Sequence, residues 1–165
     1  MFKKIISYPV TLLLTYFITA GAIVQASDIK LETENYKIYK FTGNYQDVRD
    51  DLDYAITGKG IKVNGVSHIG DMLIRTGKDI GRTQKIFDKA EAIQFCSATL
   101  SRDMMEADPL NIVYCPYIIY IYSLPGEKNM VYVGYRKLPE LESAASKKAA
   151  KAIIATYEGI IADAQ

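Results

Sequence analysis

Two β-rich runs near the end of the chain constrain its fold more than any other feature. Residues 111–124 form the longest stretch dense in isoleucine, valine and tyrosine, and residues 130–135 form a second such stretch. A turn sequence with proline and glycine, residues 125–129, separates the two runs. Strands joined by so short a turn pair as a β-hairpin, so the chain is predicted to contain an antiparallel sheet.

Amphipathic helices are predicted to accompany this sheet. The clearest covers residues 45–57, whose apolar side chains recur at helical spacing after Asn44, a good N-cap. Residues 58–60, which include two glycines, are expected to end this helix. Further helices are predicted at 67–75, 83–91 and 97–107, and further strands at 36–41, 61–67 and 92–96.

A long alanine-rich helix is predicted from Pro139 to the end of the chain. Its stripe of alanine, isoleucine and tyrosine repeats at helical spacing, and at about 25 residues it would be roughly 37 Å long. Because this length exceeds what a small core needs, the helix is also a candidate surface for docking onto a partner.

The order of these elements predicts the α+β class. We expect a single compact domain with a mainly antiparallel sheet, helices packed on one face, and the long C-terminal helix in addition. A chain of 165 residues suits one domain. The predicted boundaries are an N-terminal extension at 27–37, of which residues 27–35 are expected to be polar and frayed, the domain at 38–139 and the C-terminal helix at 140–165.

The first residues have the pattern of a secretory signal peptide. Lys3 and Lys4 precede an uncharged run at residues 5–25, and Val24-Gln25-Ala26 offers small residues to a signal peptidase. Removal of residues 1–26 is therefore predicted, with the mature chain in the periplasm. The alternative is that the uncharged run, long enough to span a bilayer, is retained as an anchor with the domain facing the periplasm.

Charge and cysteine spacing argue against several classes of function. The net charge falls from +1 to −1 when Lys3 and Lys4 are removed, so no long-range attraction to nucleic acid or to anionic membranes is expected. The sequence has no CxxC, CxxCH or paired-histidine spacing, which argues against structural zinc and covalent haem. The sequence requires no cofactor, and no metal site is predicted from it.

Six short motifs occur along the chain in the order typical of one bacterial family. They are SHIGDML at 67–73, RT at 75–76, FCSATLS at 95–101, MEADP at 105–109, NIVYCPY at 111–117 and VGYR at 133–136. With these motifs the chain resembles the bacterial domain-of-unknown-function family 302, in particular its exported proteobacterial branch. The resemblance covers residues 38–139 and implies a compact α+β fold that is able to dimerise. It implies no settled activity, and it places the helix from Pro139 outside the common core.

The two cysteines, Cys96 and Cys115, both lie in the predicted mature chain. Cys96 precedes Ser97 at a strand-to-helix junction, where helix-terminal N–H groups favour a thiolate that could serve as nucleophile, sulfur carrier or soft ligand. The alternative is a small buried apolar residue. Cys115 precedes Pro116 in the predicted long strand, where a bulge is expected. In an exported chain the pair also permits a Cys96–Cys115 disulfide.

A candidate ligand site is predicted where the motifs contain soft-ligand residues. The one histidine, His68, is expected to converge with Cys96 and Cys115 on a small molecule or a sulfur or metal species. Its supporting residues would be Met72, Arg75, Ser97, Arg102 and Tyr117. A single histidine without a fixed second ligand is more often structural, and that alternative stays open.

The segment 77–83 combines two glycines with two cations before a predicted helix. Such a segment could hold an anion, although glycine-polar clusters are more often plain connectors. Neither interpretation is decided by the sequence.

Three functions follow from these features. The first is a non-enzymatic binding or carrier module for a small ligand. The second is a thiol-dependent enzyme that uses Cys96 as nucleophile, with Arg102 or His68 as its charged neighbour. The third is a structural or assembly module that docks through the C-terminal helix, and a homodimer is the partner that the family resemblance suggests.

Overall fold

The computed structural model of this protein describes residues 28–165, so the predicted signal peptide at 1–26 lies outside the described residues. The described part contains six strands, four α-helices and one 3₁₀ helix. They are β1 (Asp28–Glu32), β2 (Tyr36–Thr42), α1 (Tyr45–Gly58), β3 (Lys62–Ser67), α2 (Ile69–Asp79), β4 (Lys89–Cys96), α3 (Ala98–Ala107), the 3₁₀ helix (Pro109–Tyr114), β5 (Tyr117–Ser123), β6 (Met130–Arg136) and α4 (Ala144–Asp163).

The strands form one sheet in the order β1-β2-β6-β5-β4-β3. Every neighbouring pair is antiparallel. The predicted hairpin is confirmed as β5 and β6, in which Tyr120 lies opposite Gly134. The α+β class with a mainly antiparallel sheet is therefore confirmed.

One face of the sheet is covered by α1, α3 and α4, with α4 in contact with both other helices. Alternate residues of each strand point to this face and form the core with the apolar stripe of α4. Tyr157 lies at the centre of the core, where its ring stacks on Tyr135 at a centroid distance of 4.6 Å. The Tyr157 hydroxyl also accepts a hydrogen bond from the backbone N–H of Ile118 at 3.0 Å.

A polar cluster fixes α4 onto strands β2 and β6. The Glu158 carboxylate accepts hydrogen bonds from the hydroxyls of Tyr39 and Tyr135. It also forms an ion pair with Lys37 at 3.0 Å. Burial opposes ionisation of Glu158, but these donors outweigh it and hold the pKa of Glu158 below its usual value.

Helix α2 differs from the other helices because it buries almost none of its apolar side chains. Only Gly70 and Gly77 of this helix are buried. Gly70 lies against the backbone of β4, where a Cβ atom at this position would be 2.9 Å from the Ala90 nitrogen. Glycine therefore lets α2 approach β4 closely, while Ile74 remains 43% exposed.

Several predicted elements require correction at the N-terminal side of the fold. Residues 28–32 are not a frayed extension, because β1 pairs with β2. The predicted helix at 83–91 is wrong, since strand β4 already begins at Lys89 and pairs there with Ser123 of β5. Pairing within the sheet outweighs the helical spacing in this segment.

Helix α2 is longer than predicted and begins differently. It runs to Asp79, well beyond the predicted end at Arg75. Its N-cap is His68, whose side chain makes no capping hydrogen bond, and not the predicted Ser67. By contrast, α1 is confirmed, since the Asn44 side chain accepts hydrogen bonds from two backbone N–H groups of its first turn.

The C-terminal half also departs from prediction in two places. The strand predicted at 111–124 is split, because residues 109–114 form the 3₁₀ helix and β5 begins only at Tyr117. Asn111 stabilises this helix, as its buried amide donates to the Met104 carbonyl and to Ser146. Helix α4 begins at Ala144 after the N-cap Ser143 and not at Pro139. Within residues 28–165 no helix is long and apolar enough to cross a membrane.

Candidate functional site

The two cysteines come together beside α3. Cys96 is the last residue of β4 and Cys115 follows the 3₁₀ helix, and their sulfur atoms lie 3.0 Å apart as free thiols. Both side chains are half-buried. The β4–β5 register runs without a shift from Phe95 opposite Tyr117, so the bulge predicted at Cys115 is absent. The 3₁₀ helix, and not a bulge, directs Cys115 toward Cys96.

The environment of Cys96 does not favour a thiolate. Burial, together with the neighbouring Cys115 thiol, raises the pKa of Cys96 to about 11. Ser97 is the N-cap of α3 as predicted, and its hydroxyl accepts from the Leu100 N–H at 3.5 Å. The expected lowering of the thiol pKa by the helix terminus is therefore outweighed by desolvation.

One hydroxyl group lies next to the second sulfur. The Ser101 hydroxyl lies 3.8 Å from the Cys115 sulfur and 3.5 Å from the Tyr117 hydroxyl. Tyr117 is buried, and its ring packs edge-on against Phe95. The thiol pair thus has hydrogen-bonding neighbours on α3 and β5, and among residues 28–165 no basic side chain forms a hydrogen bond or ion pair with it.

His68 belongs to a different place in the fold. Its Nδ1 lies 3.0 Å from Glu91 Oε1, and Arg49 donates to the other Glu91 oxygen at 2.8 Å. Cys96 lies five residues beyond Glu91 on β4, which is roughly 16 Å along a strand. The structure does not bring His68 to the sulfurs, and the predicted three-residue ligand set is not assembled. His68 has a structural partner instead.

The remaining predicted site residues are also dispersed. Met72 and Arg75 lie on the exposed side of α2. Arg102 is exposed on α3 and pairs with Glu106 at 2.6 Å, so it does not serve the thiols. Of the eight predicted residues, the structure groups Cys96, Ser97, Cys115 and Tyr117 at one end of β4 and separates the rest.

A groove between α2 and the segment before β4 is the second candidate site. It has a volume of about 310 Å³. Leu73 and Ile74 of α2 and Ile86 and Phe87 of the following segment line it with apolar surface. The ring of Phe87 is held by an edge-on contact with Tyr122 on β5.

Cations border this apolar groove. Lys78, Arg82 and Lys85 all line it. Lys85 is paired with Asp88 at 2.6 Å, whereas Lys78 and Arg82 have no ion pair with any residue of 28–165. The groove therefore combines an apolar floor with two uncompensated positive charges.

A glycine positions the cationic end of the groove. The Arg82 N–H donates to the Gly77 carbonyl at 2.7 Å, which folds the segment back onto the end of α2. A Cβ atom at Gly77 would lie 2.4 Å from the Arg82 carbonyl oxygen, so only glycine permits this close return. Gly81 completes the turn with φ of +69°.

Sequence reasoning found only part of this groove. It identified residues 77–83 as a cluster that could hold an anion, and the structure places two of its cations at the groove. It missed Leu73, Ile74, Ile86 and Phe87 as a binding surface. The apolar residues of α2 recur at helical spacing, which indicates an apolar helix face. This spacing does not show that the sheet leaves that face uncovered. No group of three or more metal-ligating side chains occurs in residues 28–165.

The fold and these sites define an α+β domain with a thiol pair and a cation-bordered apolar groove. A family profile described as "Domain of unknown function DUF302" matches residues 37–164. The chain belongs to this family, as its motifs suggested. The match includes α4, which the sequence analysis placed outside the common core.

A solved structure has a similar fold. It is the crystal structure of the uncharacterized conserved protein DUF302 from Bacillus stearothermophilus, to which this chain is 12% identical with a TM-score of 0.66. The alignment covers 79% of this chain and 98% of the Bacillus chain. At this level of identity the similarity shows the fold alone. Comparison with curated proteins gives no significant match.

Proposed function

We propose that this protein is a non-enzymatic binding module for a small anionic amphiphile, held in the groove between α2 and residues 82–87. The observation that carries this proposal is the pairing of an apolar floor with two unpaired cations, Lys78 and Arg82. An apolar chain would lie on Leu73, Ile74 and Ile86, with its anionic group at the cationic end. The volume, about 310 Å³, is at the small end of the range for ligand pockets.

The exposure of the floor supports the same proposal. Ile74 is 43% exposed and Ile86 is 54% exposed, so both isoleucines leave apolar surface open to solvent. Burying apolar surface contributes roughly 25 cal/mol per Å², so these side chains would stabilise a bound chain. Charge complementarity then selects an anionic head group over a neutral or cationic one.

A thiol-dependent enzyme is less well supported. The pKa of Cys96 lies at about 11, so the thiol stays protonated near neutral pH. Its two candidate charged neighbours are engaged elsewhere, His68 with Glu91 and Arg102 with Glu106. A nucleophilic cysteine needs a base or a positive group in contact.

Assembly through the C-terminal helix is also less well supported. The apolar stripe of α4, including Ile153, Tyr157 and Ile160, is buried in the core of its own domain. What remains exposed on this helix includes Lys147, Lys148 and Lys151. A helix whose apolar face is already covered has little surface to bury against a partner.

The proposal is tested by titrating the purified protein with dodecanoate in a calorimeter, below the concentration at which dodecanoate forms micelles. Dodecanoate is expected to bind at one site. Dodecanol should bind much more weakly because it lacks the negative charge, and acetate because it lacks the apolar chain. Binding to vesicles of phosphatidylglycerol is measured in a parallel titration. Binding to vesicles without binding of free dodecanoate would overturn the proposal in favour of a membrane surface.

Matched variants locate the site. The double variant K78Q/R82Q is expected to weaken dodecanoate binding about tenfold, because each exposed charge pair contributes at most about 1 kcal/mol. Lys148→Gln on α4 is the control for loss of charge. Ile74→Asp should abolish binding, and Ile112→Asp, at a position that is 62% exposed outside the groove, is its control. Equal effects of Ile74→Asp and Ile112→Asp would contradict the assignment of the groove.

We also propose that the module is exported through its N-terminal segment. The pattern of residues 1–26 supports this proposal, and N-terminal sequencing of the protein from a periplasmic fraction tests it. A new N-terminus at Ser27 is expected. An intact Met1 in the membrane fraction would instead indicate the anchored form. Homodimer formation stays a prediction of the family resemblance, which light scattering on the same sample checks.

A further inference from the structure

We infer that Cys96 and Cys115 form a reversible disulfide, which makes this end of β4 a site of thiol–disulfide exchange independent of the proposed groove. The two sulfurs lie 3.0 Å apart without a bond. A disulfide bond is about 2.05 Å long, so closure requires a movement of only about 1 Å. Cys96 is the last residue of β4 and pairs there with Lys62 of β3, whereas Cys115 follows the 3₁₀ helix and lies outside the sheet, so the Cys115 side has the freedom to make this movement.

The surroundings of the pair favour a disulfide over a metal ion. A disulfide is neutral, which suits a half-buried site that has no cationic side chain in contact. Two thiolates on a zinc ion with bonds of about 2.3 Å would have to stand roughly 3.8 Å apart and carry net negative charge. The nearest polar neighbours, Ser101 and Tyr117, offer hydroxyl groups and no third metal ligand of the usual kind.

The oxidant in this exchange is a second disulfide, R–S–S–R, which accepts the two electrons that the thiols lose. The Cys115 thiol loses its proton and attacks one sulfur of R–S–S–R, which forms a mixed disulfide and releases RS⁻. Cys96 then gives its proton to a thiolate and attacks the Cys115 sulfur, which releases the second RS⁻. The two protein thiols lose two electrons and two protons, and the oxidant leaves as two RSH molecules.

The structure also indicates the order of attack. The Cys96 thiol resists ionisation because it is desolvated and lies against Cys115. The Ser101 hydroxyl, 3.8 Å from the Cys115 sulfur, can donate to a negative charge that develops there. Ser101 also lowers the pKa of Cys96, but burial and the Cys115 thiol outweigh it. Cys115, which lies outside the sheet after the 3₁₀ helix, is therefore assigned as the attacking residue, and Cys96 resolves the mixed disulfide.

The test equilibrates the protein as isolated from cells with buffers of oxidised and reduced glutathione, followed by acid quenching and intact mass measurement. The native protein is expected to lose two hydrogens in oxidising buffer and to regain them with dithiothreitol. The variant C96S should trap one glutathione on Cys115. The variant C115S should react more slowly than C96S, because burial, the largest cause of the raised pKa of Cys96, remains when Cys115 is replaced. Ser101→Ala should slow the first step in a C96S background.

Several results would overturn the inference. One is that both thiols stay free in oxidising buffer and react only after the protein is unfolded. Another is that each chain binds one metal ion, which prevents both sulfurs from reacting. A faster reaction of C115S than of C96S would overturn the order of attack. Circular dichroism of each variant separates these outcomes from misfolding. Dodecanoate binding by C96S separates a failure of this inference from a failure of the groove, because that binding is expected to be unchanged.

Discussion

Two of the apolar surfaces of this domain, one under α4 and one along α2, are used in opposite ways. On the face covered by α4, isoleucine and tyrosine side chains interlock with the sheet, and Ile160 is 0% exposed. Along α2, the isoleucine at position 74 is 43% exposed, and only glycines of this helix are buried. Both helices carry apolar residues at helical spacing, so the periodicity of the sequence does not distinguish them.

The difference lies in what each helix presents to the sheet. Helix α4 places its large side chains into the core and anchors them with Glu158, which receives donors from two strands. Helix α2 approaches β4 through Gly70, and this close approach leaves its large side chains pointing away from the contact. A helix that docks through glycine keeps its apolar face for other uses, which is the physical basis of the proposed groove.

The largest expected effect compares equivalent truncations in the two regions. Ile160→Ala should lower the free energy of unfolding by about 4 kcal/mol, because it leaves a cavity in a closed core. Ile74→Ala should lower it by less than about 1 kcal/mol, since its side chain is already partly hydrated. Chemical denaturation of both variants measures the difference. Similar losses would mean that α2 packs as tightly as α4.

Oxidation of the thiol pair should stabilise the covered side of the fold. A Cys96–Cys115 bond closes a loop across a sequence separation of 19 residues. Closing such a loop contributes about 3 kcal/mol through the entropy of the unfolded chain. Urea denaturation with and without dithiothreitol measures this shift, and C96S/C115S is the control that should not respond to the reductant. A response in that variant would place the effect elsewhere.

The Glu158 cluster should make the covered side sensitive to acid. Because the pKa of Glu158 is lower in the folded chain than its ordinary value of 4.5, the ionised form stabilises the fold above that value. This contribution is lost as the pH falls through the lowered pKa. Tyr135→Phe, which removes one donor to the carboxylate, should cost about 2 kcal/mol at neutral pH.

Glu158→Gln is the variant that isolates this pH dependence. Its unfolding free energy should fall less steeply below pH 4.5 than that of the native protein, measured by urea denaturation at each pH. Glu140→Gln is a matched control with a smaller expected effect, because that carboxylate is exposed and its pKa is lowered by a surface ion pair with Lys147 rather than by a half-buried cluster. If Glu158→Gln leaves the fall in unfolding free energy below pH 4.5 unchanged, other carboxylates cause the acid sensitivity.

A smaller loss of stability is expected at the groove than in the core. Gly77→Ala should lower the free energy of unfolding by about 1 to 2 kcal/mol, because a Cβ there would lie 2.4 Å from the Arg82 carbonyl oxygen, the backbone must move, and better helix propensity offsets this only in part. It should nevertheless weaken dodecanoate binding, since Arg82 must move away from the end of α2. Gly58→Ala is the control, as no atom lies within 4 Å of a Cβ there. Calorimetric titration of both variants with dodecanoate shows whether binding depends on the position of Arg82 rather than on the stability of the fold.

Elements with a strong local signal were predicted well. Helix α1 follows from its spacing and from Asn44, whose side chain caps it as expected. The β5–β6 hairpin follows from two apolar runs around a turn, and Ser97 caps α3 as predicted. In each case the information lies within a few consecutive residues, so local physics is sufficient.

Elements that depend on distant pairing were not predicted. Residues 83–91 have helical spacing, yet pairing of Lys89 with Ser123 makes the end of this segment part of β4. The sequence permitted a Cys96–Cys115 pair but did not predict that it forms, because the separation of two cysteines along the chain does not determine the distance between their sulfur atoms. The expected approach of His68 to the sulfurs failed for the same reason, since Glu91 holds it near the other end of β4.

The fold class, the family, and the helices and hairpin with local signals can be predicted from the order of the residues. Which apolar surfaces are covered, which charges lack an ion pair and which side chains meet depend on the packed structure. The physical reason is that periodicity and capping act between neighbouring residues, whereas burial and contact depend on the packing of strands and helices far apart in the chain. Gly70 and Gly77 illustrate this, because their small size has meaning only against the backbone of β4 and of Arg82.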